Sequence, residues 1–140
     1  MGYKKAKTEY MTFGFSPSNP LDSTEYRFLT VDTPLSTVPL YESFLMPPNS
    51  IITRVVLYCM ATNAYTNEGW TLILRNFTAG TDNTLGTFTW SSPSYSASSI
   101  DVSTNLILSS KEIQFKTVTP AWVTNPIGIS GCGYIEFIRQ

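Results

Sequence analysis

Histidine is missing from this chain altogether. With it go the Ser-His and Cys-His nucleophilic pairs, histidine-ligated metal sites and the usual general base near neutral pH. Cysteine is nearly missing too. Cys59 and Cys132 lie 73 positions apart in the sequence, too few for a disulfide scaffold or, without histidine, for a structural zinc site within one chain. Charged residues make up only 14% of the chain, against about 25% in an ordinary soluble domain, and the net charge is −1. No basic surface of the kind that draws a protein to nucleic acid or to an anionic membrane is expected. The small cluster Lys4, Lys5 and Lys7 reads as a solvated tail.

Long apolar runs are lacking as well, so no segment approaches the ~18 residues of a membrane-spanning helix. The first residues have no signal-peptide apolar core, and the sequon at Asn76-Phe77-Thr78 is therefore expected to stay unmodified. Met1-Gly2 fails as an acylation start because Ala6 stands where Ser or Thr is required. No glycine-rich phosphate loop can be written anywhere. A glycosidase needs only two carboxylates, yet the ten acids fall mostly in turns and at strand ends, and no pair stands out. Loop carboxylates such as Asp82 are too sparse for calcium. We therefore expect no catalytic residue, no metal site and no cofactor.

What is abundant is Ser, Thr and aromatic residues; Phe, Trp and Tyr make up 14% of the chain. The helix-favouring residues are scarce, and the periodicity is that of strands. In Thr8–Phe15, Tyr10, Thr12 and Gly14 alternate with Met11, Phe13 and Phe15. Glu25–Asp32 alternates in the same way. Strands are also expected at Leu40–Met46, Gly69–Asn76, Leu85–Trp90 and Glu112–Val118. Ile51–Met60, the most apolar run, reads as a central strand buried on both faces. Short strands are expected at 100–102 and 106–108, a surface loop over the Ser-rich 91–99, and a loop over 119–131 before a last strand at Cys132–Arg139.

Turn signals every 8 to 12 residues after Leu40 point to an all-β fold, a jelly-roll-like antiparallel β-sandwich. An immunoglobulin arrangement would order Cys59, Trp70 and Cys132 correctly, but its second interval is far too long. Two units are expected: an extended N-terminal arm over 1–39, and a sandwich over 40–140. The arm's aromatics are too apolar to lie in water, so it should pack on its own body or on a neighbouring subunit. Both cysteines sit in apolar runs and read as buried free thiols, with a cross-strand disulfide as the other option.

The candidate contact residues are the aromatics Tyr10, Phe13, Phe15, Trp90, Tyr95 and Trp122. Trp122, between Pro120 and Pro126, could stack on a sugar ring. It could equally plug the end of the sandwich or a subunit interface.

Four segments resemble, as a set, small virion proteins and fibre-tip domains of tailed bacteriophages: Phe15-Ser16-Pro17-Ser18-Asn19-Pro20-Leu21-Asp22-Ser23, Met46-Pro47-Pro48-Asn49-Ser50, Asn67-Glu68-Gly69-Trp70 with Leu72-Ile73-Leu74-Arg75-Asn76, and Val118-Thr119-Pro120-Ala121-Trp122-Val123-Thr124-Asn125-Pro126. The resemblance runs from about Phe15 to Phe137. It implies a jelly-roll or related sandwich, a homotrimer in the virion assembled in the host cytoplasm, with the major capsid protein or other virion proteins as partners. The expected role is a capsid decoration protein. The alternative is a tail-fibre or head-fibre tip that recognises a host surface glycan. Neither role involves nucleic acid, membrane or enzymatic turnover.

Overall fold

The computed structural model describes residues 6–18, 21–28, 44–47, 49–62, 69–76, 80–89, 95–107, 112–123 and 125–139. Among them are nine strands: β1 (Thr8–Ser18), β2 (Glu25–Phe28), β3 (Phe44–Leu45), β4 (Ser50–Thr62), β5 (Gly69–Asn76), β6 (Thr81–Thr89), β7 (Tyr95–Ile107), β8 (Glu112–Val118) and β9 (Ile127–Arg139). They form two antiparallel sheets. Sheet A has the order β1-β9-β4-β7, and sheet B the order β2-β8-β5-β6, with β3 beside β2 along the same edge of β8. The chain is thus an all-β sandwich.

The pairing is nested. β5 pairs β6, β4 pairs β7, β2 and β3 pair β8, and β1 pairs β9. β4 also pairs β9 and β5 also pairs β8, which completes the two sheets.

Alternation decides which side chains enter the space between the sheets. From sheet A come Phe13, Phe15, Ile52, Val55, Leu57, Ile129, Ile135 and Phe137; Trp70, Leu72, Leu74, Ile113 and Phe115 face them from sheet B, all in one buried cluster. Two aromatic pairs hold the layers together. The Phe13 ring stacks on Phe115 at 4.0 Å, and Phe15 meets Trp70 edge-on at 5.2 Å. Each such side chain contributes roughly 1.5–3 kcal/mol through burial.

The segment expected as an arm supplies β1 and β2. β1 is hydrogen-bonded to β9 in sheet A, and β2 to β8 in sheet B. Residues 29–43 lie outside the described residues.

Several strand boundaries differ from expectation; β1 runs on to Ser18 past Phe15, and β4 spans Ser50–Thr62. β9 begins at Ile127 rather than Cys132, because Phe15 lies against Gly131: a Cβ added there would come within 2.8 Å of its ring. A glycine that looks like a breaker is here a strand residue covered by a cross-strand aromatic. The Ser-rich stretch from Tyr95 is strand rather than loop. It joins the two short candidates into one β7, paired with β4 along its length; a partner strand supplies what serine's own propensity lacks. β6 starts at Thr81, immediately after Gly80, whose φ of 66° is the left-handed geometry glycine permits. Before β4, Asn49 has a φ of 59° and the Ser50 hydroxyl donates to the Pro47 carbonyl at 2.6 Å; Pro48 lies outside the described residues.

One end of the sandwich is fastened by side chains. The Thr119 Oγ1 accepts from the Thr24 amide at 2.8 Å and faces the Leu21 and Thr24 carbonyls at 2.7 and 3.1 Å. The Ser23 amide donates to the Pro120 carbonyl, and the Thr119 amide to the Thr24 carbonyl. The loop before β2 and the loop after β8 are thereby tied together. Thr119 is 3% exposed, so Thr119→Val, which keeps shape but deletes the hydroxyl, should lower stability by about 1–3 kcal/mol. Urea denaturation checks this; an unchanged midpoint would mean the hydroxyl is dispensable.

Candidate functional site: the outer face of sheet A

The sheets spend their outward positions differently. On sheet B, the Lys116 ammonium is buried between the Glu25 carboxylate at 3.1 Å and that of Asp82 at 2.5 Å, with Arg75 3.9 Å from Asp82. Asp82, the carboxylate weighed for calcium, is therefore engaged by two cations. Gln114, also outward on β8, is fully buried. β8 is consequently covered on both faces.

Sheet A presents aromatic side chains instead. Register places Thr12, Tyr134, Val56 and Asp101 in one row across β1, β9, β4 and β7; the next row is Gly14, Cys132, Tyr58 and Ser99. Their neighbours in sequence point inward, so these point out. Tyr10 and Tyr58 are 62% and 45% exposed, and Tyr10 packs edge-on against Tyr134 with ring centroids 5.6 Å apart. Because Thr12, Cys132 and Gly133 are small, a shallow hollow of about 540 Å³ opens between Val56, Tyr58 and Tyr134. Its walls are almost wholly apolar.

Charge gathers at one end of this face. Arg54 donates from Nε and Nη2 to the two oxygens of Asp101 at 2.7 and 2.6 Å, a bidentate fork. That hydrogen bond raises the Arg54 pKa and lowers that of Asp101. A carboxylate with a depressed pKa favours the folded state above its ordinary value near 4, and the benefit fades as pH falls through the depressed one. Both partners are exposed, so the effect is screened. Glu136 accepts from the Thr53 hydroxyl at 2.8 Å.

Of the aromatics singled out from sequence, only Tyr10 is placed on this face with its side chain described. Phe13 and Phe15 are core residues at 0% and 2% exposure. Trp122 is buried at the fastened end, its amide donating to Asp22 Oδ1 at 3.2 Å, so its ring is not offered to a ligand. Tyr95 opens β7 opposite Thr62, and its side chain lies outside the described residues, as does Trp90. Tyr58 and Tyr134 were missed. Tyr58 sits in a run that reads as buried on both faces, although its parity is opposite to that of Val55, Leu57 and Cys59.

The cysteines are both free, Cys59 buried and Cys132 exposed. Cys132 corrects the expectation of two buried thiols: it is outward next to the inward Gly131 and Gly133. Adjacent register pairs, Tyr58 with Cys132 and Cys59 with Gly131, send the two thiols to opposite faces, so no disulfide joins them. Burial pushes the Cys59 thiol up, with a contribution from Cys132, and thiols react as thiolates. Native protein should therefore consume one equivalent of an alkylating reagent at neutral pH and the denatured chain two. Two fast equivalents from folded protein would overturn the burial of Cys59.

No protein-family model matches this sequence, and none of the curated proteins matches it.

Proposed function

We propose that this chain is a non-enzymatic structural subunit of a bacteriophage particle, a capsid decoration protein that stabilises the shell through subunit contacts. The observation that carries the reading is the aromatic outer face of sheet A. A solvated protein seldom leaves Tyr10, Tyr58, Tyr134 and Val56 together on an open sheet, and tyrosine is enriched where proteins meet. We infer that the nested strand pairing is that of a jelly roll, in keeping with the resemblance carried by the turn segments. The absence of histidine from the chain supports a role that makes no demand on a neutral-pH base.

Particles assembled without this chain should lose their contents at a lower temperature and at higher salt than complete particles, and adding the purified chain back should restore them. Equal survival of the two would overturn the proposal. The other reading, a fibre tip that takes a host glycan, is favoured by the hollow itself, since tyrosine rings flanking a shallow apolar depression can stack on a sugar. Glycan-array binding abolished by Tyr58→Ala in folded protein would favour that reading over decoration.

A further inference from the structure

We propose that the outer face of sheet A is where copies of this chain meet, the Tyr58 and Tyr134 region of one copy packing on the corresponding face of another. The proposal rests on the structural-subunit reading and names the partner of its surface.

Three observations select a second copy as the occupant. The first is charge. Arg54 is the cation among the described outward side chains of the face, and it is bound within its own chain to Asp101 through two hydrogen bonds. The Arg139–Glu9 pair at the rim, 2.6 Å, is likewise closed within one chain. A strongly charged partner finds no unpaired cation to bind. Glu136, beside Arg54 across β4 and β9 and bonded to the Thr53 hydroxyl, is the remaining anion of the face. Copies that meet at the Tyr58 and Tyr134 rows leave that end at the rim, where like charges are not buried against each other.

The second observation is area. Four strands spaced about 4.8 Å apart make a face roughly 15–20 Å wide, and the 13 residues of β4 extend about 40 Å. A face of roughly 600–800 Å² results, close to the ~800 Å² per partner of a stable interface.

The third is shape. Tyr10 and Tyr58 stand proud while the hollow between Val56, Tyr58 and Tyr134 is floored by Cys132 and Gly133. One surface thus carries both a protruding ring and a receptacle, as a symmetric contact of copies requires. Sheet B offers no counterpart, because its central outward side chains Gln114 and Lys116 are already covered.

Cys132 is a built-in reporter, since it lies on the face and Cys59 is buried. Sedimentation and native mass spectrometry of the full-length chain should find an oligomer. Alkylation of Cys132 should slow at least about tenfold as concentration rises and the face spends less time open. Tyr58→Ser and Tyr134→Ser, both outward and so sparing the core, should yield monomers with an unchanged far-ultraviolet spectrum and rapidly alkylated Cys132.

A native monomer at every concentration overturns the proposal, as does an oligomer in which Cys132 reacts as fast as in dilute protein. If either variant misfolds, the concentration dependence of Cys132 labelling in the unaltered chain decides alone. Particle retention separates the two levels: a monomer that still stabilises particles overturns the copy interface and leaves the structural role standing, whereas an oligomer with no effect on particles overturns the role and leaves the interface.

Discussion

Gly133→Ala should unfold the protein or come close to it. Gly133 faces inward on β9, between β1 and β4, opposite Phe13 and Leu57. A Cβ there would fall on the backbone carbonyl of Val56 and within 2.9 Å of the Leu57 Cα. Those atoms belong to the central strand of sheet A and cannot rotate away, as the end of a flexible side chain could. Overpacking a core commonly costs 1–3 kcal/mol, and more where backbone must move. We expect at least about 3 kcal/mol, a large part of the ~5–15 kcal/mol available to a domain of this kind. Urea titration with a far-ultraviolet readout measures it, and a midpoint equal to that of the native chain would show that β4 and β9 are further apart than described. Gly131→Ala should be milder, because the two nearest atoms belong to the Phe15 ring and the nearest backbone atom, the Tyr58 carbonyl oxygen, is 3.2 Å away rather than on top of the added Cβ.

Phe13→Ala is expected to cost about 3–5 kcal/mol, the ordinary penalty for emptying a buried phenylalanine site. Its ring is fully buried and lies 4.0 Å from Phe115, almost parallel to it, so the substitution opens a cavity where the two sheets meet. The aromatic content of the N-terminal segment led to the expectation that Phe13 contacts a partner. Under that expectation the substitution would weaken association and leave stability alone. Under the structure it does the reverse at any concentration where the chain is folded. Thermal unfolding of dilute Phe13→Ala protein distinguishes the two, and Tyr10→Ala is the control: Tyr10 is 62% exposed, so its removal should change the unfolding temperature little.

The contrast between Phe13 and Tyr10 marks where sequence reasoning stops. Parity along β1 separates the set Met11, Phe13 and Phe15 from the set Tyr10, Thr12 and Gly14. It does not say which set faces the second sheet, because both contain aromatics. The same ambiguity hid Tyr58, whose neighbours on both sides are apolar and whose outward direction follows only from its partners Cys132 and Ser99. Where the alternation is sharp, as in Trp70, Leu72 and Leu74 against Thr71, Ile73 and Arg75, the buried face was plain from the residues alone.

The sequence by itself determined the class of fold: alternating apolar residues between turn formers, with few helix formers, leave a chain of this size only stacked sheets as a way to bury its aliphatic and aromatic side chains. It also removed histidine chemistry, since a side chain that is absent cannot act. Only the tertiary structure decided that the N-terminal segment pairs into both sheets of its own chain, that a serine-rich stretch is part of a thirteen-residue strand, and that Tyr10, Tyr58, Tyr134 and Cys132 share one open face. The physical reason is that strand pairing joins residues far apart in the chain. Tyr10 and Tyr134 are neighbours because β1 lies beside β9, a contact that no local pattern records.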